Sequence, residues 1–311
     1  MVYVRPELLR SLSEYFRRLR LLVWNQQEGR PRAFFRVWLF LFAYSSIFIA
    51  IPHLVAPSGD GLSRTAGLRV VLVCCTFVLV ILTVYYIDRR PLRTVGLSVD
   101  WRWFIDLIVG IAIGSTIPTL AVGVGLVGGW ITVEKPVHAL TINYVQDMGL
   151  ALLITASIAL GEELVFRGYV LTNAISGLDL PWLSHSMTVA TAWSVSAAFF
   201  AAKHPIFTLA DGVHFLTAGF LLGLAYLLTG KLGLPIGIHA GFNFVANYVF
   251  STTSELTVVP LIAEGPRWLV GQTGVVQTAL LLPAALAVVL YVWWHSGSVE
   301  IIPKTIMKLN N

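Results

Sequence analysis

Three ionisable side chains interrupt an apolar stretch that the residue pattern predicts to be helical from about residue 149 to 171. Glu162, Glu163 and Arg167 stand within six consecutive residues. Each charge at mid-bilayer costs about 2.5–3.5 kcal/mol on insertion scales, so such residues are functional candidates. Glu163 and Arg167 lie four residues apart on one helix face, which favours an internal ion pair. Glu162 lies about 100° around the helix and is expected to lack a countercharge, which is typical of a general base.

Two further apolar segments carry polar side chains at helical spacing. Phe200 and His204 share one helix face, and His239 and Asn243 stand one turn apart on another. Buried polar groups mostly have structural partners, but these residues together with the acidic segment supply the parts of a hydrolytic site. A carboxylate can take a proton from water, while amide and neutral imidazole N–H groups can stabilise an oxyanion.

Motifs of other hydrolases and of nucleotide-binding proteins are missing from the sequence. It has no His-Glu-x-x-His helix, no Gly-x-Ser-x-Gly stretch and no glycine-rich phosphate loop followed by lysine. The usual zincin arrangement, serine catalysis and nucleotide binding are therefore disfavoured.

The composition excludes an ordinary soluble protein. Hydrophobic residues make up 57% of the chain and charged residues 12%, whereas globular proteins are about 25% charged. We therefore predict an all-α, polytopic membrane bundle of about eight transmembrane helices. The predicted spans cover residues 34–56, 68–87, 104–130, 147–173, 187–204, 213–229, 234–251 and 274–294.

Basic residues predict how the chain is organised across the membrane. They are concentrated in residues 1–33, in the 88–93 loop and at Lys231, Lys304 and Lys308, so the positive-inside rule predicts that both termini are cytoplasmic. We expect three regions, and part of the first can lie on the membrane as a helix. The regions are a basic amphipathic leader at 1–33, one membrane domain at 34–296 with its catalytic core at about 149–247, and a cytoplasmic tail at 297–311.

Polar residues near the predicted span ends are expected to be solvated there. This expectation applies to Asp106, Asp211 and His214, and Lys203 is expected to extend outward along its apolar stem. Glycines four residues apart, at 110–114, 219–223 and 237–241, predict close contacts between helices.

The depth of His204 conflicts with a simple arrangement of straight spans. A fifth helix that starts near Met187 would carry His204 about 25 Å along its axis, too far outward to meet the other site residues. We therefore expect this helix either to start later, near Trp193, or to be tilted.

Three motifs occur in order on successive apolar segments: Glu162-Glu163-x-x-x-Arg167, Phe200-x-x-x-His204 and His239-x-x-x-Asn243. Their combination resembles the signature of the CAAX-protease and bacteriocin-processing family (CPBP, or Abi) of intramembrane endopeptidases. Residues 220–239 also resemble the segment that precedes the last histidine of this family. The resemblance implies an eight-helix membrane fold whose polar cavity cleaves peptides near a membrane-anchored end. The best-known substrates of the family are prenylated C-terminal CAAX sequences.

The resemblance also implies a role for each motif residue. Glu162 and His204 would hold the attacking water, with Glu162 as the base, and His239 and Asn243 would bind the developing oxyanion. The same roles follow from what carboxylate, imidazole and amide groups can do.

Two supporting roles complete the predicted site. The resemblance implies that Glu163 and Arg167 brace the helix. We also predict that Phe200 contacts the substrate. The expected partners are membrane lipid and a membrane-anchored peptide or protein, with no nucleic acid.

We expect no cofactor, with zinc as the alternative. The proposed base and the two histidines would also form a His₂-carboxylate zinc site with one position left for water. A metal-free mechanism is favoured because the base must be a carboxylate. If Glu162 were a zinc ligand, Glu163 would have to act as the base, and Glu163 is better placed to pair with Arg167.

A non-catalytic function is the alternative to proteolysis. An immunity or scaffold protein, or a carrier with a polar cavity, could also bury charged residues in broken apolar helices. The lack of an inverted repeat argues against the carrier.

Overall fold

The computed structural model describes residues 23–55, 61–134, 141–180, 182–254 and 256–301. Eight long helices lie in these described ranges, one for each predicted apolar span, so the all-α prediction is confirmed. They are α1 Ala33–Leu54, α2 Gly61–Leu82, α3 Trp101–Val127, α4 Ile142–Glu163, α5 His185–Ala202, α6 Leu209–Thr229, α7 Gly233–Phe244 and α8 Val275–Ser296.

Three of the helices continue as π-helix, which often marks functional positions. The continuations are Thr83–Ile87 after α2, Leu164–Leu171 after α4 and Val245–Val249 after α7. After its π segment, α4 extends through helix Thr172–Gly177 into a rod of 36 residues. Short helices span Leu92–Val95 and Arg267–Val270.

Short strands lie at two places outside the helices. They are β1 Trp24–Asn25, β2 Arg30–Pro31, β3 Ile131–Val133, β4 Phe250–Ser251 and β5 Val259–Ala263. The first two pair as an antiparallel hairpin, while β5 pairs antiparallel with β3 and parallel with β4. None of the motif residues lies in a strand.

Six helical rods in the described part of the chain are long and apolar enough to cross a membrane. The chain is therefore an integral membrane protein. The helices α5 and α7 fall short of this standard. In α7 every residue from Gly233 to Gly241 is buried, so this helix packs among the others instead of facing lipid. A helix without a lipid face can carry polar residues if its neighbours supply their partners.

Glycines bring α3 and α7 into backbone contact, as their spacing predicted. A Cβ atom on Gly237 would lie 2.9 Å from the Cα atom of Gly110, and one on Gly241 would lie 3.0 Å from the Cα atom of Ile111. Small residues at such a contact let two helices approach until their backbones touch. This contact fixes the position of His239, two residues after Gly237.

We expect Gly237→Ala to destabilise the folded protein by about 1–3 kcal/mol, because the added methyl group forces α3 and α7 apart. Thermal unfolding in detergent, followed by circular dichroism, measures the loss. Gly123→Ala is the matched control, since a Cβ atom there meets no described atom within 4 Å. Equal losses in both variants would contradict the role of this contact.

Asp88 ties α1, α2 and the α4 rod together near one end of the bundle. Its side chain pairs with Arg36 at 3.2 Å and accepts a hydrogen bond from the Asn173 amide at 3.0 Å. Its backbone oxygen accepts a hydrogen bond from Arg30 at 2.6 Å. Asp88 belongs to the basic 88–93 loop, but it is only 1% exposed. Its charge is therefore structural, because it neutralises a buried arginine.

The leader and tail are described only in part. The predicted surface helix falls within residues 1–22, outside the described residues, and the rest of the leader contains the β1–β2 hairpin. Of the predicted tail, residues 297–301 are described.

Candidate active site

Glu163 and Arg167 form a fully buried ion pair where α4 becomes π-helical. Arg167 Nη1 donates to Glu163 Oε1 at 2.8 Å, and both side chains are 0% exposed. The predicted internal pair is confirmed. Arg167 also donates from Nη2 to the Gly219 backbone oxygen at 3.0 Å, and its guanidinium lies 4.4 Å from the Phe200 ring centroid. One arginine therefore links α4 to α5 and α6.

Glu162 is buried but has a countercharge, contrary to expectation. Its Oε1 atom pairs with Lys203 Nζ, from the residue that follows α5. The prediction that Lys203 extends outward is wrong, because its side chain pairs with Glu162, whose buried carboxylate would otherwise be an unpaired charge. In the sequence, only the position of Lys203 directly before His204 could have indicated that Lys203 pairs with Glu162.

His204 lies just beyond the end of α5, and its ring is held on two sides. Its Nδ1 atom is 2.8 Å from the Phe200 backbone oxygen, and its ring stacks on Phe215 with centroids 4.2 Å apart. A carbonyl oxygen only accepts hydrogen bonds, so Nδ1 carries the proton and Nε2 of the neutral ring has a free lone pair. This Nε2 atom lies 3.8 Å from Glu162 Oε2.

The structure also answers the question of depth. Helix α5 begins at His185, where the Ser184 side chain caps it, so the expected later start near Trp193 is wrong. His204 nevertheless reaches Glu162. The bundle therefore brings the two residues together without shortening α5.

His239 is oriented by the acid of the buried pair. Its Nδ1 atom lies 2.8 Å from Glu163 Oε1, where the carboxylate accepts its proton. The neutral ring therefore presents a bare Nε2 atom, which accepts but does not donate. Our expectation that a neutral imidazole donates to an oxyanion requires correction, since donation from Nε2 needs the doubly protonated ring.

A cavity lies between the second and third motifs, and we call it the histidine cavity. Its volume is about 60 Å³, measured as the space open to the centre of a water molecule. His204, His239, Asn243 and Phe200 line it. The Asn243 side chain makes no hydrogen bond with any described residue, so its amide is available to a ligand. The volume holds several water molecules. Phe200 is only 2% exposed and packs on Arg167 as well as lining the cavity.

Three polar residues that we expected to be solvated are buried instead. His214 lines the histidine cavity and shares a hydrogen bond of 3.0 Å with the Thr278 hydroxyl. Asp106 accepts a hydrogen bond from Tyr291 at 2.7 Å, and Asp211 forms a capping box with Thr208 at the start of α6. Hydropathy places a residue along a span but does not show which side faces the bundle, so His214 was missed.

The arrangement of these side chains does not suit a zinc ion. Among the described residues, no three His, Cys, Asp or Glu side chains form a group that could hold a metal. Lys203 occupies one Glu162 oxygen. Glu162 borders a second cavity and is linked to the cavity of the two histidines by His204, whose Nε2 atom lies 3.8 Å from Glu162 Oε2.

Comparison with known proteins gives one match. The family model described as type II CAAX prenyl endopeptidase Rce1-like matches residues 145–245. Searches of curated proteins and of solved structures found no match. The matched region begins in α4, ends in the π-helix after α7 and contains all three motifs. Residues 145–245 thus match an Rce1-like domain, in agreement with the family that the three motifs of this membrane protein resemble.

Proposed function

We propose that this protein is an intramembrane endopeptidase that hydrolyses a peptide bond in a membrane-anchored, CAAX-type substrate with a water activated by Glu162. The observation that carries the proposal is the pair of acceptors, Glu162 Oε2 and His204 Nε2, which lie 3.8 Å apart. One water can donate a hydrogen to each of them at ordinary hydrogen-bond lengths. Its oxygen lone pair is then directed away from both acceptors, toward a substrate carbonyl.

Glu162 can act as the base while its ion pair stays intact. Lys203 pairs with Oε1, and Oε2 has no hydrogen-bond partner among the described residues. The water oxygen attacks the carbonyl carbon as one of its protons passes to Oε2. The carbon–nitrogen bond then breaks, and Glu162 returns the proton to the leaving amine.

The developing oxyanion requires donors, and Asn243 and His239 are the candidates. The Asn243 amide donates directly. His239 donates from Nε2 when both of its ring nitrogens carry a proton, with Nδ1 donating to Glu163 Oε1. Each such donor is worth about 3–4 kcal/mol of barrier.

Orientation and substrate access follow from the same proposal. With both termini in the cytoplasm, as the basic residues predict, the three motifs lie in the cytoplasmic half of the membrane. A substrate held by a lipid anchor would present its peptide at that depth. In this proposal the peptide enters the cavity lined by His204, His239 and Asn243 from the membrane plane.

The test is cleavage of a fluorescent farnesylated peptide that ends in a CAAX sequence, by the purified protein reconstituted in vesicles. We expect mass spectrometry to detect the released tripeptide. We also expect that a strong chelator leaves the rate of cleavage unchanged. Loss of cleavage with the chelator, restored by added zinc, would refute the metal-free mechanism. Lack of cleavage of any membrane-anchored peptide would refute the proteolytic function.

A further inference from the structure

His214, on α6, is a buried histidine that the proposed mechanism does not use. The residue is 3% exposed and lines the histidine cavity together with His204, His239 and Asn243. Its Nδ1 atom lies 3.0 Å from the Thr278 hydroxyl of α8, so this side of the ring is occupied. Its Nε2 atom makes no hydrogen bond with any described residue, and this side of the ring is therefore left for a ligand in the cavity.

The partner of Nδ1 distinguishes His214 from the two motif histidines. The Nδ1 atoms of His204 and His239 face a backbone carbonyl oxygen and a carboxylate oxygen, respectively. Because these oxygens only accept hydrogen bonds, each of the two neutral rings carries its proton on Nδ1 and none on Nε2. A hydroxyl both donates and accepts, so the Thr278 hydroxyl can donate to Nδ1 of His214 and leave the ring proton on Nε2.

The Thr278 hydroxyl can turn toward the ring without leaving another polar group unpaired. It also lies 2.9 Å from the Gly274 backbone oxygen, one turn earlier in the chain. That oxygen already accepts the backbone N–H of Thr278 at 2.9 Å, so it does not need the hydroxyl. The form of His214 that carries its proton on Nε2 is therefore satisfied on its Nδ1 side.

Two aromatic residues place the His214 ring beside both histidine motifs. The ring centroids of Phe215 and Phe242 lie 5.6 and 5.8 Å from that of His214. Phe215 also stacks on His204, and Phe242 directly precedes Asn243. A donor that packing holds in place stabilises developing charge without the reorganisation that water would need.

We propose that His214 is a third oxyanion donor, whose Nε2–H group binds the carbonyl oxygen of the scissile peptide bond. This inference rests on the proposed function. When the water attacks the carbonyl carbon, an electron pair of the C=O bond moves to the oxygen. The Nε2–H group then donates a hydrogen bond to this oxygen and keeps its proton. Of the three described histidines in the cavity, only His214 offers this donor in its neutral form, whereas His239 must be doubly protonated.

The first test compares substitutions of His214 in cleavage of the farnesylated CAAX peptide. His214→Phe keeps a flat ring but has no N–H group, and we expect it to lower kcat about 100- to 1,000-fold, the loss typical of one oxyanion donor, with little change in KM. His214→Gln keeps a side-chain N–H group and should recover part of the loss. His185→Phe changes an exposed histidine at the start of α5 and should cleave at the wild-type rate. Wild-type kcat in His214→Phe, or equal losses in both His214 variants, would overturn the assignment.

The second test measures recognition of the anion without turnover. A farnesylated peptide with a phosphonate in place of the scissile amide carries a tetrahedral, negatively charged group, while the matching ketomethylene peptide is uncharged. We expect His214→Phe to weaken inhibition by the phosphonate by the same factor as it lowers kcat, and to leave inhibition by the ketomethylene peptide unchanged. Equal weakening of both inhibitors, or a phosphonate that does not inhibit wild type, would show that His214 binds no oxyanion. Full cleavage by Glu162→Gln would instead refute the proposed function and leave the phosphonate result standing.

Discussion

Glu162→Gln is expected to lower the rate of peptide cleavage by about 100- to 10,000-fold, the range of a general base. The amide has nearly the same shape as the carboxylate but cannot take a proton from water. Glu162 is 6% exposed and its Oε2 atom has no described hydrogen-bond partner, so the substitution removes an acceptor that is open to a water. Cleavage of the farnesylated peptide in vesicles measures the effect, with folded protein quantified by size-exclusion chromatography.

Two further variants separate chemistry from the loss of an ion pair. Lys203→Met breaks the same pair but leaves the carboxylate in place, so we expect it to retain much more cleavage than Glu162→Gln. Glu134→Gln changes an exposed acid in the same way and should have no effect. Unchanged cleavage by the Glu162 variant would remove the base from the mechanism. Equal losses in the Glu162 and Lys203 variants would show that the ion pair, and not proton transfer, controls the rate.

Arg167→Ala is expected to cost about 3–5 kcal/mol of stability, because it leaves the carboxylate of Glu163 buried without its main countercharge. Arg167 is 0% exposed and holds three helices through Glu163, Gly219 and Phe200. Because Glu163 also orients His239, cleavage should fall together with stability. Thermal unfolding in detergent measures the stability loss, and cleavage below the variant's Tm measures the catalytic loss.

The control for this variant is Arg102→Ala, which removes an exposed arginine near the start of α3. We expect its Tm to differ from that of wild type by little, since exposed charges contribute at most about 1 kcal/mol. If Arg167→Ala unfolds at the same temperature as Arg102→Ala, the buried pair does not brace the helix.

The contrast between Lys203 and Arg167 shows why only part of the site could be predicted. The Glu163–Arg167 pair is four residues apart on one helix, so helix geometry alone brings the charges together. The Glu162–Lys203 pair spans 41 residues, and the contact of His239 with Glu163 spans 76. These longer pairings depend on how the helices pack, which the hydrophobic pattern does not encode when lipid and protein neighbours are equally apolar.

By itself, the sequence determined the helices, the close glycine contacts and the local Glu163–Arg167 pair, because each of these depends on neighbours within one or two turns. The sequence also supplied three motifs in a fixed order. The family match at residues 145–245 contains all three. Only the tertiary structure decided which ring nitrogen of His204 and His239 is free, and that Lys203 neutralises Glu162. Each of these depends on contacts between separate helices, where a rotation of a few tens of degrees changes which polar groups meet.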